Sequence, residues 1–148
     1  MQSLAVLLRG TLHWTSSLGG AVLDALAECG GVYGTSPFFA ARLGLRDRHQ
    51  LARILNREGL PPLEELAAWV RAIAWVMHSD QYRTPLYRLA KHAHLDPATC
   101  YRSVRRLTGA NWGDVRDRGV AWMLQQLRER CRKRGGQSTS SAPDASAG

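Results

Sequence analysis

The chain has 148 residues, 45% of them apolar, and sets 20 Lys and Arg against 12 Asp and Glu for a formal net charge of +8. That length holds one ordinary domain or two very small ones, and the apolar fraction supports a buried core and excludes wholesale disorder. No apolar run approaches the roughly 18–20 residues that span a bilayer, and Leu4 to Leu8 is too short for a signal-peptide core.

Hydrophobic spacing and punctuation predict an all-α fold, because no stretch sustains the period-two alternation of strands. In chain order, helices are expected over 3–13, 18–29, 37–43, 47–57, 63–78, 85–93, 97–107 and 113–133. Ser36-Pro37, Thr84-Pro85 and Asp96-Pro97 each place a capping side chain before a proline suited to the first helical position. Asp47-x-x-Gln50 reads as a capping box. In Leu63–His78, Leu63, Leu66, Ala67, Val70, Ala74 and Met77 share one face, while Trp69, Ile73 and Val76 carry the apolar surface round the cylinder. Such a helix is flanked on more than one side, and its sixteen residues make a rigid spacer of roughly 24 Å. Residues 135–148, rich in Gly, Ser and Ala, have nothing to bury and are expected to be disordered.

Charge divides the chain into five segments: 1–34, a near-neutral helical start; 35–62, with five Arg against Asp47 and Glu58; 63–83, near-neutral again; 84–134, with 12 cations against four acids; and the tail 135–148. Two basic blocks thus flank a neutral spacer. Among all the cations only Lys91 and Lys133 are lysines. Arginine's planar fork suits phosphate and guanine, so a polyanionic partner is expected.

The two basic blocks repeat one another. Ala40, Gly44, Leu45, Gly59 and Pro62 align with Ala90, His94, Leu95, Gly109 and Trp112 at an offset of 50, and Leu51, Arg53 and Leu55 align with Cys100, Arg102 and Val104 at 49. Repeats of this length mark duplicated supersecondary units. Here the unit is helix, tight turn, helix, with a small residue where the helices cross and a turn residue that tolerates positive φ. Gly44 supplies the latter in the first unit; in the second, His94 belongs to a residue type enriched at positive φ.

From about Leu18 to Arg118 the chain resembles the DNA-binding domain of the AraC/XylS transcription regulators. Two stretches carry the resemblance, Leu51-Ala-Arg53-Ile-Leu55 running to Gly59 and Pro62, and Cys100-Tyr-Arg102-Ser-Val104 running to Gly109 and Trp112 before Val115-Arg116. It departs from the family in a spacer before Gly59 shorter by one residue, in Trp112 at a proline position and in Cys100 at an aromatic one. The resemblance implies two helix-turn-helix units joined by a long linker helix.

Recognition helices turn hydrophobes inward and present their other faces to base edges. Leu51 and Leu55 facing inward leave Arg48, His49, Ala52 and Arg53 outward; Cys100 and Val104 leave Ala98, Thr99, Tyr101 and Arg102. Those eight are the expected base contacts, with Arg53 and Arg102 foremost because the resemblance points to them as well. Arg42, Arg46, Arg57, Lys91, Arg105, Arg106 and Arg116 are candidate phosphate contacts. The run Arg128–Arg134 suits either DNA phosphates or a solvated helix end.

The remaining chemistry-bearing residues suggest no site. His92 and His94 at i, i+2 do not share a helical face. Trp69, Trp75, Trp112 and Trp122 read as packing residues. Cys29, Cys100 and Cys131, without a C-x-x-C pair, read as reduced, unreactive thiols. No catalysis, metal or cofactor is expected. The expected protein is a bacterial cytoplasmic regulator, associated with the nucleoid when bound, that binds double-stranded DNA and either works without a small-molecule effector or takes its signal from RNA polymerase or another regulator. A helical protein–protein adaptor, and an architectural or mobile-element accessory protein that bends DNA, are the alternatives.

Overall fold

Side-chain caps set where most of the elements begin, and the computed structural model, which describes residues 3–147 in backbone and 3–135 in side chains, places eight helices among the described residues. They are α1 (Leu4–Thr11), α2 (Ser17–Glu28), α3 (Ser36–Arg42), α4 (Arg48–Arg57), α5 (Leu63–Tyr82), α6 (Leu86–His92), α7 (Pro97–Thr108) and α8 (Trp112–Ala147). There is no strand among the described residues. The backbone of α8 runs to Ala147 through the tail expected to be disordered, whose side chains beyond Gly135 lie outside the described residues.

Ser3, Ser16, Asp47 and Asp96 cap α1, α2, α4 and α7 by accepting from the N–H three residues on, each satisfying one of the orphan donors of a helix start. Two expected caps are displaced. α3 is capped by Thr35, whose hydroxyl accepts from the Phe38 N–H, because the helix starts at Ser36 and carries Pro37 inside its first turn, where no N–H is needed. α6 starts at Leu86, one residue later than a Thr84 cap requires. Extended Pro85 is its N-cap residue, and the backbone carbonyl of Pro85 accepts from Arg88 and Leu89.

α5 is the axis of the core. Leu66, Ala67, Trp69, Val70, Ala72, Ile73, Trp75 and Val76 are all buried, which spreads burial around the cylinder, and α2, α6, α7 and α8 all pack on it. It runs one turn past the end of the apolar pattern, since its last exposed residues are polar, and stops where Arg83 turns left-handed (φ 55°) and donates to the Ser79 carbonyl at 2.7 Å. Its 20 residues span about 30 Å. At the junction with α2, Gly31 (φ 80°) lies so close to α5 that a Cβ there would meet the Ala67 carbonyl and sit 2.8 Å from the Arg71 Cβ.

The helix expected over 113–133 is interrupted. Gly119, at φ 88° and ψ 179°, occupies a backbone region essentially restricted to glycine, and α8 changes course there. Beyond it Met123, Leu124, Leu127 and Cys131 are buried at helical spacing along a segment that packs on α5 and α1. The run Arg128–Arg134, expected to suit either DNA phosphates or a solvated helix end, is thereby partly drawn into the packing of α8 on α5. Arg130 makes a two-pronged ion pair with Glu65 of α5 (Nε to Oε2 2.8 Å, Nη2 to Oε1 3.0 Å), and the Trp69 indole also donates to that carboxylate at 3.2 Å.

Those donors hold Glu65 below the ordinary carboxylate range, with the Arg130 guanidinium the main cause and burial opposing it. A depressed carboxylate contributes stability that is complete above its unfolded value and lost as pH falls through the folded one. The pair is partly solvated, with Arg130 36% and Glu65 27% exposed, which screens it. Glu65→Gln is therefore expected to cost about 1–2 kcal/mol at pH 7. The difference from the parent should shrink as pH falls below about 4.5, as read from urea midpoints across a pH series. A gap independent of pH would assign the loss to packing.

Candidate nucleic-acid interface

The two helix–turn–helix corners share one backbone pattern. In the first, Leu43 N–H donates to Phe39 and Ala40 O, Gly44 N–H to Ala41 O, and Leu45 N–H to Ala40 O. Fifty residues on, Ala93 donates to Leu89 and Ala90, His94 to Lys91, and Leu95 to Ala90, all eight bonds at 2.8–3.2 Å. This is the paired closure of a helix C-terminus around a left-handed residue, with Gly44 at φ 74° and His94 at φ 58°. Ala40 and Ala90 are fully buried at the crossing. The second helices repeat at 49, since Asp47 and Asp96 cap α4 and α7 through Gln50 N–H (2.9 Å) and Thr99 N–H (3.1 Å). The missing residue corresponds to Arg46, whose N–H is taken up by the Gln50 side chain at 2.7 Å.

α4 and α7 each bury one face. Leu51, Ile54 and Leu55 of α4, and Cys100 and Val104 of α7, are buried. Arg48, His49, Ala52 and Arg53 are all exposed on α4, as are Ala98, Thr99, Tyr101 and Arg102 on α7. Within each helix the structure therefore brings the expected base-contact residues onto solvent-facing surface. The two foremost arginines differ in one respect. Arg102 donates through Nη2 to the Thr99 hydroxyl (3.2 Å), which donates in turn to the Asp96 carboxylate (2.9 Å). Arg53 has no such tether among the described residues. Thr99 thus works as a cap and a rest for Arg102. Sequence alone hid this link, although Asp96, Thr99 and Arg102 at i, i+3, i+6 were its visible trace.

The capping carboxylates are held below their ordinary range, Asp47 mainly by the Gln50 N–H and Asp96 mainly by the Thr99 hydroxyl. Of the candidate phosphate contacts, Arg42, Arg46, Arg57, Lys91, Arg105, Arg106 and Arg116 are all exposed. Three of them have acidic neighbours at long range, Arg42 with Glu28 (4.0 Å), Arg46 with Asp47 (3.6 Å) and Arg116 with Asp117 (4.0 Å). Solvated pairs of this kind are worth little and exchange readily for another anion. The Lys91 ammonium lies 5.8 Å from the centre of the Tyr87 ring.

Trp69, Trp75 and Trp112 are buried and Trp122 is half-buried beneath the Arg118 guanidinium. Cys100 and Cys131 are buried and Cys29 half-buried, all free thiols. Burial pushes Cys131 up to about 12, so it is a neutral packing group. Among the described residues no group of three or more His, Cys, Asp or Glu could hold a metal ion, and no helix is long and apolar enough to cross a membrane.

Residues 1–34 join this scaffold through Glu58, which sequence reading left without a role. Its carboxylate accepts from the Ser16 N–H (2.6 Å) and Oγ (2.8 Å) at the start of α2, and its backbone carbonyl accepts from the Trp14 indole (3.0 Å). An anion at a helix N-terminus is favourably placed, and it lies where a Cβ on Gly19 would stand. The C-terminal end of α4 is thus fastened to α2. Comparison with protein-family models, with curated proteins and with solved structures gives no match.

Placing an L-residue in the left-handed region costs roughly 1–2 kcal/mol, partly offset by glycine's greater freedom in the unfolded chain. His94→Gly is therefore expected to stabilise the protein by up to about 1 kcal/mol, measured as a shift in urea midpoint at constant slope. Destabilisation would mean that the imidazole itself supports the second corner.

Proposed function

We propose that the protein binds double-stranded DNA sequence-specifically through α4 and α7, acts as a cytoplasmic transcription regulator, and is a divergent AraC/XylS-type regulator. The observation that carries this reading is the duplicated corner: the same hydrogen bonds close both turns, and each is followed by a capped helix whose buried face leaves Arg53 or Arg102 outward. Shape alone would permit a protein adaptor. A net charge of +8 built almost wholly from arginine favours a polyanion.

In this mechanism each recognition helix lies in the major groove, with its arginine donating to guanine O6 and N7. The Thr99 hydroxyl helps hold Arg102 in one rotamer before binding, which lowers the ordering cost at that site. Exposed arginines around each unit neutralise phosphates and fix register without reading sequence. α5, about 30 Å long, is suited to separate units that address successive major-groove segments about 34 Å apart. The activity requires no catalytic group.

Two measurements test the reading. If about 6–10 phosphates are neutralised, affinity for a selected duplex should fall roughly 10³–10⁵-fold between 50 and 200 mM salt; a flat response would favour the adaptor. Arg53→Ala and Arg102→Ala should each cost about 1–3 kcal/mol of specific binding and relax preference at one base position, the two positions lying in different half-sites. Selection of bound sequences by the parent and both variants decides the matter. Uniform weakening would make these arginines phosphate contacts, and unchanged binding in both would overturn the two-helix mechanism.

A further inference from the structure

A concave surface lies at the C-terminal end of α4, beyond the expected base-contact residues of α4 and α7. The turn after α1, the C-terminal end of α4 and the far part of α8 border an open cleft of about 550 Å³, lined by Trp14, Arg57, Glu58, Arg128, Cys131 and Arg132 among others. This is within the range of small-molecule sites. It is the place where residues 1–34 complete a surface that neither repeat unit forms alone.

Its electrostatics are one-sided. Arg57 and Arg128 are exposed, and neither makes a hydrogen bond or ion pair among the described residues. Arg132 adds a third guanidinium, shared at 3.3 Å with Glu129. The sole acid of the lining among the described residues, Glu58, has its carboxylate engaged by the Ser16 N–H and hydroxyl. The negative end of α4 is closed as well, because Glu58, Gly59 and Leu60 N–H groups donate to Ile54, Asn56 and Leu55 carbonyls. Cys131 contributes a neutral thiol to the lining. One wall is aromatic: Trp14 is 43% exposed, with its indole N–H fixed on Glu58 O at 3.0 Å and His13 edge-on at 5.7 Å. A ring held in place by that hydrogen bond and still partly exposed offers a stacking surface that needs little further ordering.

We propose that this cleft binds a small planar aromatic anion, with its carboxylate on Arg57 and Arg128 and its ring against Trp14. Guanidinium pairs recognise carboxylates by charge-assisted, two-pronged hydrogen bonds, and the fixed indole supplies apolar contact for the body of the ligand. This proposal departs from the expectation that the chain acts without a small-molecule effector, and the turn after α1 walls the cleft through His13 and Trp14. Nothing in this chemistry requires α4 to read DNA. The test is therefore run on the protein alone, without DNA, so that it is read separately from base recognition; Arg57, also a candidate phosphate contact, is the one residue the two readings share.

The probe is 2-naphthoate, followed through the Trp14 indole resonance in ¹H–¹⁵N spectra of the full chain and assigned with Trp14→Phe. Saturable movement is expected with a dissociation constant near or below about 1 mM, which a ligand of about thirteen non-hydrogen atoms delivers at ordinary efficiency. Arg57→Gln and Arg128→Gln, both exposed substitutions whose folding is checked by circular dichroism, should each weaken it about tenfold or more. Failure to saturate by about 10 mM, on this same efficiency scale, would overturn the proposal, as would unchanged binding in both variants. Equal binding of neutral 2-naphthylmethanol would reduce the site to an apolar crevice. Equal binding of inorganic phosphate would make it a bare anion site of the kind that serves a DNA backbone. Either result also overturns the proposal.

Discussion

A helix that is apolar around most of its circumference has to be covered from several directions, and α5 imposes that requirement on the whole chain. α2, α6, α7 and α8 pack on it, and α1 reaches it through α2 and α8. The burial of Leu66, Val70, Ile73, Val76, Trp69 and Trp75 places α5 at the centre of the apolar core. At roughly 1.5–3 kcal/mol for each large side chain taken out of water, that burial outweighs any cap or ion pair. The Glu65–Arg130 pair, assisted by the Trp69 indole, orients α8 on α5 at a point where bare hydrophobic contact would allow sliding.

The two repeat units are alike in backbone and unlike in support. The first has glycine at its left-handed turn position, an inserted Arg46 and an outer arginine without a tether. The second has His94 in the same conformation, a turn shorter by one residue, and Arg102 resting on Thr99. The first is fastened by Glu58 to the start of α2, while α7 of the second lies against both α5 and α8. Duplication followed by separate bracing lets each exposed face diverge without disturbing the turn that positions it.

Much of the fold was legible because it depends on local chemistry. Asp47 and Asp96 cap the helices they precede, and the all-round apolar pattern of 63–78 foretold a helix covered on several sides. The offset of 50 between Ala40 and Ala90, or Gly44 and His94, reappears as identical hydrogen bonds. The exposed faces of α4 and α7 followed from helical period alone. What was not legible depends on neighbours distant in sequence or on alternatives equal in local propensity. Thr35 and Ser36 are both able caps, and only the start of α3 chooses between them. Gly119 could sit in a helix at modest cost, and only the packing of Met123 and Leu127 beyond it requires the break. The roles of Trp14 and Glu58 arise from contacts across some forty residues, which no local pattern encodes.

The ion pair between Glu65 and Arg130 spans 65 residues, and this separation sets an order of events during synthesis. At about 5–20 residues per second, roughly 3–13 s pass after Glu65 is made before its partner exists. Through that interval α2 to α4 can close their own turn and fasten through Glu58 and Ser16, but α5 presents an uncovered flank along Glu65 and Trp69. The nascent chain therefore carries a nearly complete first unit beside an apolar helix that waits for α8. That interval is when the chain is most open to capture by a chaperone or by another copy of itself.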